Sequence, residues 1–461
     1  MSSAPQDCDA PYDLEARRDT PLALKLKERI RREGPISIAD YMQACLQDPE
    51  HGYYINKTAI GARGDFVTAP EISQIFGEVI GLWSAVVWQQ MGSPEKVNLV
   101  ELGPGRGTLM RDALRASRIV PGFHDAVAVT MIESSDPLQT IQLTTLSSVP
   151  VPVRWTRGVT SFPAPAIILA NEFLDALPVE QWIKTQDGWH ERGVGLDDKG
   201  EFCFRALPDS EVRNSPGRPS TDVILGPSAK HVFLGPSAKH VLGMTPEDHR
   251  SAGSDSEGEP DAVNTTIAPG STAIEEMDSR ESCPRRASHW PGNDNNCEQN
   301  EALDRQFPEA NPGSIVERMH AAFVTELLTA PARPGPVVML FVDYGHAASS
   351  VGETLQAVRN HTFESPLSSP GEADLSSHVD FSKLAGACHA AGFETDGPIT
   401  QAEFLGRLGL IERASKLMSA NPSKAGEIET AIARLMAPGG MGGRFKAMGV
   451  RSSGLPKLPG F

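Results

Sequence analysis

Short apolar runs alternate with helix-length segments along much of the chain. The runs VNLVEL, AVAVTMIE, VPVRW and AIILANEF follow one another between residues 97 and 173, and PVVMLFVDYG occupies residues 336–345. Continuous apolar runs of this length are typical of strands that are buried on both faces. Because strands that alternate with helices form parallel sheets with helices on both sides, the pattern predicts an α/β fold.

Helical periodicity flanks these strands. LALKLKERIRREG is amphipathic and ends at Gly34, and SIADYMQACLQD begins with Ser37, a favourable N-cap residue. ISQIFGEVIGLWSAVVWQQMG has apolar residues at helical spacing and ends at Gly92. Towards the carboxyl end, SIVERMHAAFVTELLTA is predicted to be a helix and RFKAMGV an edge strand.

A low-complexity segment interrupts the pattern between residues 208 and 313. The octapeptide LGPSAKHV occurs there twice, and residues 245–313 contain 15 acidic and 5 basic residues. Such a segment buries too little apolar surface to offset the entropy of ordering it. The predicted organisation is a disordered N-terminus, a helical segment with an active-site loop, a cofactor-binding α/β core, a disordered acidic insertion and the remainder of the catalytic domain, at residues 1–21, 22–95, 96–207, 208–313 and 314–461.

Charge and cysteine content exclude several classes of protein. A formal net charge of −17 argues against general binding to nucleic acid or to an anionic membrane. The six cysteines lack CxxC spacing, and no zinc-type spacing of histidine and cysteine occurs, which predicts reduced thiols and no metal site. No run approaches the roughly 20 apolar residues of a membrane span. The first residues resemble neither an export signal nor a mitochondrial presequence, so a bacterial cytoplasmic location is expected.

The stretch VELGPGRGTLM has the features of a ligand loop. Glycines at 103, 105 and 107 allow positive φ and a close backbone approach, and a helix starting near Thr108 offers free N–H groups. A P-loop would need a lysine, and a dinucleotide loop would need a small residue where Thr108 lies. Glu101 would repel a pyrophosphate but favours a cation, and S-adenosylmethionine (SAM) carries a sulfonium and an ammonium group. The loop therefore favours SAM.

Polar residues also end the next strands. Glu133 ends the second strand, where nucleotide-binding folds hold ribose hydroxyls. Asn171, Glu172 and Asp175 follow the strand AIILA, at the sheet edge where ligands bind. Glu172 and Asp175 could clamp a guanidinium through charge-assisted bonds. The alternative is that Asn171 caps a turn and that both acids are solvated.

Two other segments allow both a functional and a structural interpretation. The glycine-rich stretch GARGDFVTAPEISQ is either a plain connection or a functional loop, with a helix starting at Pro70 and Glu71. His346, at the end of the last apolar run, could be a base or a substrate contact. A strand-end histidine is, however, more often structural or exposed to solvent.

With these residues identified, the chain resembles the MidA family of SAM-dependent methyltransferases, whose mitochondrial members are complex I assembly factors that methylate an arginine. The resemblance runs from about residue 22 to 450. It is carried by DYMQACLQDPEHGYY, GDFVTAPEISQIFGEVIGLW, VELGPGRGTLMRDALR, ANEFLDALPVEQW, VDYGH, GETLQAVRNHTFESPLSSPGEADLSSHVDF and RLMAPGGMGGRFKAMGV. It implies a class I, Rossmann-like SAM methyltransferase sheet with added helical N-terminal and C-terminal segments, SAM as cofactor, and symmetric dimethylation of an arginine in a protein substrate, a complex I subunit.

The family motifs map onto individual positions of this sequence. The candidate cofactor-binding residues are Glu101, Gly103, Gly105, Gly107, Thr108, Glu133, Asn171, Thr68, Pro70, Glu71 and Gln74, and the candidate catalytic residues are Glu172, Asp175 and His346. The acidic insertion is not part of the family pattern. Two other functions remain open: a non-catalytic assembly factor that kept the SAM fold, and a nucleotide-dependent oxidoreductase. The oligomeric state is open, and a eukaryotic member would belong in the mitochondrial matrix.

Overall fold

The computed structural model describes residues 16–56, 68–159, 162–207, 233–234, 294–319, 321–332 and 335–461. The predicted disorder of residues 1–21 and 208–313 falls largely outside this part of the chain. The described helices are α1 (Pro21–Glu33), α2 (Ile38–Gln47), α3 (Tyr53–Asn56), α4 (Ala69–Ile72), α5 (Gln74–Gln90), α6 (Thr108–Ser117), α7 (Phe123–Ala126), α8 (Asp136–Thr145), α9 (Asp294–Gln306), α10 (Ala321–Thr329), α11 (Phe381–Ala390), α12 (Gln401–Arg407), α13 (Leu410–Ala420), α14 (Ala425–Met436) and α15 (Met441–Arg444), with a 3₁₀ turn at Pro422–Lys424.

The strands form one large mixed sheet and three smaller ones. They are β1 (Ile36–Ser37), β2 (Val97–Leu102), β3 (Val127–Ile132), β4 (Val153–Thr156), β5 (Phe162–Pro163), β6 (Ala166–Asn171), β7 (Val179–Lys184), β8 (Trp189–Leu196), β9 (Phe202–Ala206), β10 (Phe233–Leu234), β11 (Ile315–Met319), β12 (Pro331–Ala332), β13 (Val337–His346), β14 (Gln356–Arg359), β15 (Thr362–Glu364), β16 (Asp374–Ser376), β17 (Val379–Asp380), β18 (Phe393–Thr400) and β19 (Phe445–Ser452).

The central sheet has the order β10-β4-β3-β2-β6-β13-β19-β18, and β17 pairs with the end of β13. Strands β4, β3, β2, β6 and β13 are parallel, whereas β19 is antiparallel to both of its neighbours. The chain moves outward from β2 to β4 and then returns to β6 on the other side of β2. The carboxyl ends of β2 and β6 therefore flank the switch in strand order, where open α/β sheets bind their ligands.

Apolar clusters cover both faces of the central sheet. On one face, α5 and α6 pack closely, with Trp83 and Met110 almost fully buried. On the other face, Phe323 of α10 and Phe381 of α11 pack against the sheet. The side chains of Thr20 and Ser37 accept N–H bonds at the starts of α1 and α2, so the predicted cap at Ser37 is confirmed.

A second, antiparallel sheet was not predicted from the sequence. Its order is β1-β8-β7-β11, and β9 also pairs with β8. The helices α1 and α2 pack on it through a cluster that includes Leu26, Tyr41, Val194 and Phe202. The amino-terminal helices therefore share a separate hydrophobic core with strands of this second sheet.

Three predicted elements need correction. Ile315–Met319 is a strand paired with β7, so the predicted helix over SIVERMHAAFVTELLTA is wrong for its first part; its β-branched start suits a strand. RFKAMGV is an interior strand, because the more polar β18 forms the edge beside it. Residues 294–306 are helical, and Leu303 and Phe307 are buried beside Trp189. Folded chain therefore resumes inside the segment predicted to be the insertion.

Candidate active site

The glycine loop forms a sharp turn between β2 and α6. Gly103, Gly105 and Gly107 have φ of +57°, +53° and +77°, and Gly107 is the N-cap residue of α6. A Cβ at position 103 would lie only 2.6 Å from the Phe173 ring. Positive φ and this close approach both require glycine at 103. The loop leaves the amino end of α6 facing the switch point of the sheet.

Two buried glutamates lie beside the loop. Burial raises the pKa of Glu101 to about 8, with a second contribution from the charge of Glu133. Burial likewise raises the pKa of Glu133 to about 7, although the Ser135 N–H and the Gln142 amide donate to its carboxylate. Among the described residues, nothing donates a hydrogen bond to the buried Oε2 of Glu101. An acceptor left unpaired in this way fits a ligand that brings its own donors or positive charge.

Gln142 is a site residue that the sequence reasoning missed. Its Nε2 donates to the carbonyl oxygen of Gly105 at 2.7 Å and to Oε2 of Glu133 at 3.0 Å, and its Oε1 accepts from the indole of Trp155 at 2.8 Å. The side chain is fully buried. One signal was available in the sequence: Gln142 interrupts an apolar face of α8 at i, i+4 spacing between Leu138 and Leu146.

The short helix α4 contacts both the loop and the acidic turn after β6. The Ala69 N–H donates to Oε1 of Glu172 at 2.7 Å, and the Thr108 hydroxyl donates to Glu71. Thr68 is the N-cap residue of α4, without a side-chain cap bond, and Pro70 lies in its first turn. These contacts bring residues 68–71 to the site.

Gln74 lies apart from this group. Its side chain is exposed, and its amide donates weakly to Glu78 at 3.4 Å. Arg115 and Arg413 both pair with Glu78, so these contacts join α5, α6 and α13. The structure therefore does not bring Gln74 to the glycine loop.

The turn after β6 holds several acids in a fixed arrangement. Glu172 has an unusual φ of +51°, and its Oε1 also accepts from the amide of Asn171 at 3.1 Å. The buried Asp343 accepts the N–H groups of Phe173 and Leu174 at 3.0 and 2.8 Å, and so anchors the turn. Asp343 was missed as a site residue, although it lies in the quoted motif VDYGH. The fully apolar strand before it was the available signal.

The acids of this turn perturb one another. Burial raises the pKa of Glu172 to about 7 and that of Asp343 to about 6. The pKa of Asp175 is raised well above its usual value, first by burial and then by the charges of Asp343, Asp374 and Glu172. Among the described residues, no cation forms an ion pair with Glu172, Asp175 or Asp343. The positive charge of Arg434 offsets only part of the effect of burial on the pKa of Glu172. Carboxylates grouped without an ion pair fit a cationic ligand.

Two further missed residues come from distant parts of the chain. The Tyr54 hydroxyl, on α3, donates to Oδ1 of Asp374, on β16, at 2.9 Å. Burial raises the pKa of Tyr54 well above its usual value, and the charges of Asp374 and Asp175 raise it further, which indicates that the three side chains lie near one another. The N-terminal segment and the β14–β16 sheet thus form one wall of the acidic group. Sequence separation concealed this contact.

His346 lies at the end of β13, beside a different carboxylate. Its Nε2 is 4.0 Å from Oδ2 of Asp380, and Asp380 itself caps α11. Its ring centre lies 6.3 Å from that of His378. Among the contacts of the described residues, none joins His346 to Glu172 or Asp175. The catalytic role predicted for His346 therefore has no contact of this kind to support it.

In the described part of the chain, no three or more histidine, cysteine, aspartate and glutamate side chains are grouped closely enough to hold a metal ion. Nor does any helix within it have the length and apolar character needed to cross a membrane.

The family to which the sequence is similar agrees with the cofactor that the glycine loop and the strand order indicate. Residues 79–399 match the family described as "Putative S-adenosyl-L-methionine-dependent methyltransferase". The chain belongs to this family. The prediction of a SAM-dependent methyltransferase of the MidA type, with SAM as its cofactor, is confirmed. The unpaired Glu101 oxygen and the glycine turn fit this cofactor.

Curated relatives span most of the chain. Mitochondrial protein arginine methyltransferase NDUFAF7 from Danio rerio is 29% identical, over 92% of this chain and 85% of its own length. The Homo sapiens protein of the same name is also 29% identical, over 92% and 82%. The bacterial cytoplasmic location expected from the sequence stays a prediction, because these relatives are named as mitochondrial.

A solved structure shares the fold. A "COG1565 superfamily member and likely methyl transferase" from Burkholderia thailandensis, bound to S-adenosyl-homocysteine, superposes with a TM-score of 0.68. The alignment is 24% identical and covers 96% of this chain and 94% of the other. The predicted class I α/β fold with added helical segments is thereby confirmed.

Proposed function

We propose that this SAM-dependent methyltransferase methylates the guanidinium group of an arginine in a protein substrate. The observation that carries the proposal is the acidic group after β6, in which Glu172, Asp175 and Asp343 form no ion pair with a cation among the described residues. A planar cation with several N–H donors satisfies such a group best. The relatives named as protein arginine methyltransferases support the same substrate class.

The cofactor would be held at the carboxyl ends of β2 and β3. Glu101 would face its positive charge, and Glu133 would accept its ribose hydroxyls. The glycine turn and the amino end of α6, at Thr108, would receive its carboxylate. Residues 68–71 and Asn171 would form further parts of the cofactor site, and the role predicted for Gln74 has no contact with the glycine loop to support it. When bound, SAM supplies a methyl group on a positively charged sulfur.

The roles of the acids differ. Asp343 is occupied by three backbone N–H groups and so acts as a positioning residue for the turn. Oε1 of Glu172 is occupied by Ala69 and Asn171, and no described residue bonds to its Oε2. Oε2 of Glu172 and the carboxylate of Asp175 would hold the guanidinium N–H groups and orient one nitrogen towards the methyl group. Glu172, with its raised pKa, would accept the proton that this nitrogen loses.

The experiment is methyl transfer from labelled SAM to two synthetic peptides that differ only in having arginine or lysine at the acceptor position. Label on the arginine peptide alone is expected, with methylarginine identified by mass spectrometry. Asp175→Asn should retain SAM binding and lose at least about a hundredfold in transfer, because the substrate cation loses a charged partner. Asp187→Asn, at an exposed turn, is the matched control.

Label on the lysine peptide alone would exclude the arginine acceptor. SAM binding without transfer to either peptide or to purified complex I would support the alternative of a non-catalytic assembly factor. A respiratory complex I subunit is the first macromolecular substrate to test, and symmetric dimethylarginine is the product expected from the family resemblance. Unchanged transfer in Asp175→Asn would remove that residue from the mechanism.

A further inference from the structure

A cavity lies at the opposite end of the central sheet from the SAM site. It has a volume of about 330 Å³ and is lined by the first residues of β2, β3 and β4 and by the Pro163–Pro165 turn. Asn98 is near the start of β2 and Glu101 near its end, so the two sites are separated by roughly 10 Å along one strand. The cavity is large enough for a small organic ligand.

The polar groups in the cavity wall are donors and cations. The hydroxyl of Thr130 accepts from Nε of Arg154 at 2.7 Å and donates to Oδ1 of Asn98 at 2.9 Å. This chain of bonds fixes the orientation of the Asn98 amide, with its oxygen occupied. The side chain of Asn98 is only 5% exposed, and its Nδ2 has no hydrogen-bond partner among the described residues. A buried N–H group without a partner calls for an acceptor from a ligand.

Two cations at the same cavity lack counter-ions. No carboxylate forms an ion pair with Arg154 or Lys96 in the described part of the chain, although the protein carries a net charge of −17. Arg154 is partly buried, and burial lowers its pKa because the charged form is poorly solvated there. An anion would relieve this cost. Strand β10 pairs with β4 at Val153 and Arg154, and Arg154 is also one of the residues that line the cavity.

The rest of the cavity wall is apolar. Its surface is formed mainly by valine, alanine and proline side chains: Val97, Ala128, Val129, Pro152, Val153, Pro163, Ala164 and Pro165. A hydrated inorganic anion would leave this surface unused, whereas an organic acid can bury its carbon skeleton against it. The fork of Arg154 and the N–H of Asn98 suit the two oxygens of a carboxylate.

We propose that this cavity binds a small carboxylic acid with an apolar body, held by Arg154, Asn98 and Lys96. It is a second ligand site, separate from the SAM and acceptor sites, and it does not depend on the arginine assignment. The Arg154 guanidinium and the Asn98 amide take the carboxylate, Lys96 adds charge at the exposed rim, and the prolines and valines enclose the carbon skeleton.

The test is calorimetric titration of the full chain with 2-naphthoate and with the neutral 2-naphthamide. Saturable one-to-one binding of the acid, at least about tenfold tighter than the amide, is expected from the loss of one charge-assisted interaction. Arg154→Gln and the nearly isosteric Asn98→Asp should each weaken binding of 2-naphthoate about tenfold or more, and Lys96→Gln less. Arg118→Gln, an exposed cation elsewhere, should leave it unchanged.

SAM affinity and the thermal unfolding midpoint of each variant serve as controls for folding, since none of these residues contacts the glycine loop. Should Arg154→Gln not fold, Lys96→Gln still gives a result because its side chain is exposed. Three outcomes would overturn the proposal: no saturable binding of 2-naphthoate, equal binding of 2-naphthamide, or competition with SAM, which would place the acid in the cofactor cleft.

Discussion

The side-chain amide of Gln142 joins the glycine loop to Glu133. Its Nε2 lies 2.7 Å from the carbonyl oxygen of Gly105 and 3.0 Å from Oε2 of Glu133. One buried side chain therefore sets the distance between the turn that would receive the carboxylate of SAM and the acid that would receive its ribose. Affinity for SAM should depend on Gln142 although Gln142 need not touch the ligand.

Gln142→Leu keeps the approximate volume of the side chain and removes the two hydrogen bonds that Nε2 donates to Gly105 and Glu133. Loss of a hydrogen bond to a charged group costs about 1.5–3 kcal/mol, so SAM affinity should fall by at least about tenfold, as measured by calorimetry. Trp155→Phe is the matched control, because it removes only the bond to Oε1 of Gln142. It should destabilise the core yet retain SAM affinity. Equal losses of affinity in both variants would mean that Gln142 acts only through general stability.

The buried acids beside the loop predict a pH dependence of SAM binding. The pKa values of Glu101 and Glu133 are raised from 4.5 to about 8 and about 7. Sulfonium and hydroxyl groups favour ionised carboxylates, so SAM affinity should rise between pH 6 and pH 8, with protons released on binding. Calorimetry in buffers of different ionisation enthalpy measures this release. Glu101→Gln should flatten the upper part of the rise, and an affinity independent of pH would contradict the assignment of both acids.

The same pKa shifts predict how the stability of the ligand-free protein changes. Between pH 4.5 and 8 the folded protein holds more protons on these acids than the unfolded chain does. Their contribution to the free energy of unfolding is therefore complete below pH 4.5 and is lost as the pH rises through 7 and 8. Urea unfolding without SAM should show a lower free energy of unfolding at pH 8 than at pH 6, and saturating SAM should reduce this difference.

Gly103 and Gly107 should respond differently to alanine. Both have positive φ, which costs a residue with a Cβ about 1–2 kcal/mol. At 103 the new Cβ would also lie 2.6 Å from the ring of Phe173, whereas at 107 its nearest neighbour, in Gln142, is at 3.5 Å, an ordinary contact. Gly103→Ala should therefore lower the free energy of unfolding by clearly more than Gly107→Ala. Equal costs in urea titrations would show that Phe173 moves aside freely.

Asp343→Asn should loosen the acidic turn. It replaces an oxygen that accepts N–H bonds with a group that can only donate, which costs about 1–3 kcal/mol of stability. Because this turn carries Glu172 and Asp175, methyl transfer should fall more than SAM affinity does. Urea unfolding, calorimetry with SAM and the peptide assay separate the three effects. A variant with unchanged stability would show that the turn is held by other contacts.

Part of the site could be predicted from the sequence, because some of its residues are adjacent along the chain. The glycine loop, Glu133 and the turn at Asn171–Asp175 each follow an apolar run, and strand ends of a parallel sheet meet at one edge. Asp374 and Tyr54 could not be found in this way, since they are far apart in sequence and meet only through packing. Gln74 belongs to the same motif as residues 68–71, but its side-chain amide donates to Glu78, so its predicted cofactor contact stays a prediction.

The sequence by itself determined the α/β class, the cofactor loop and the family, because these depend on local periodicity and on glycine positions where no other residue fits. Only the tertiary structure decided that RFKAMGV is an interior strand, that residues 315–319 pair with β7 as a strand, and that helix α9 folds onto the second sheet. Each of these outcomes depends on which other part of the protein a segment packs against. That choice is made by contacts distant in sequence, and local pattern does not encode them.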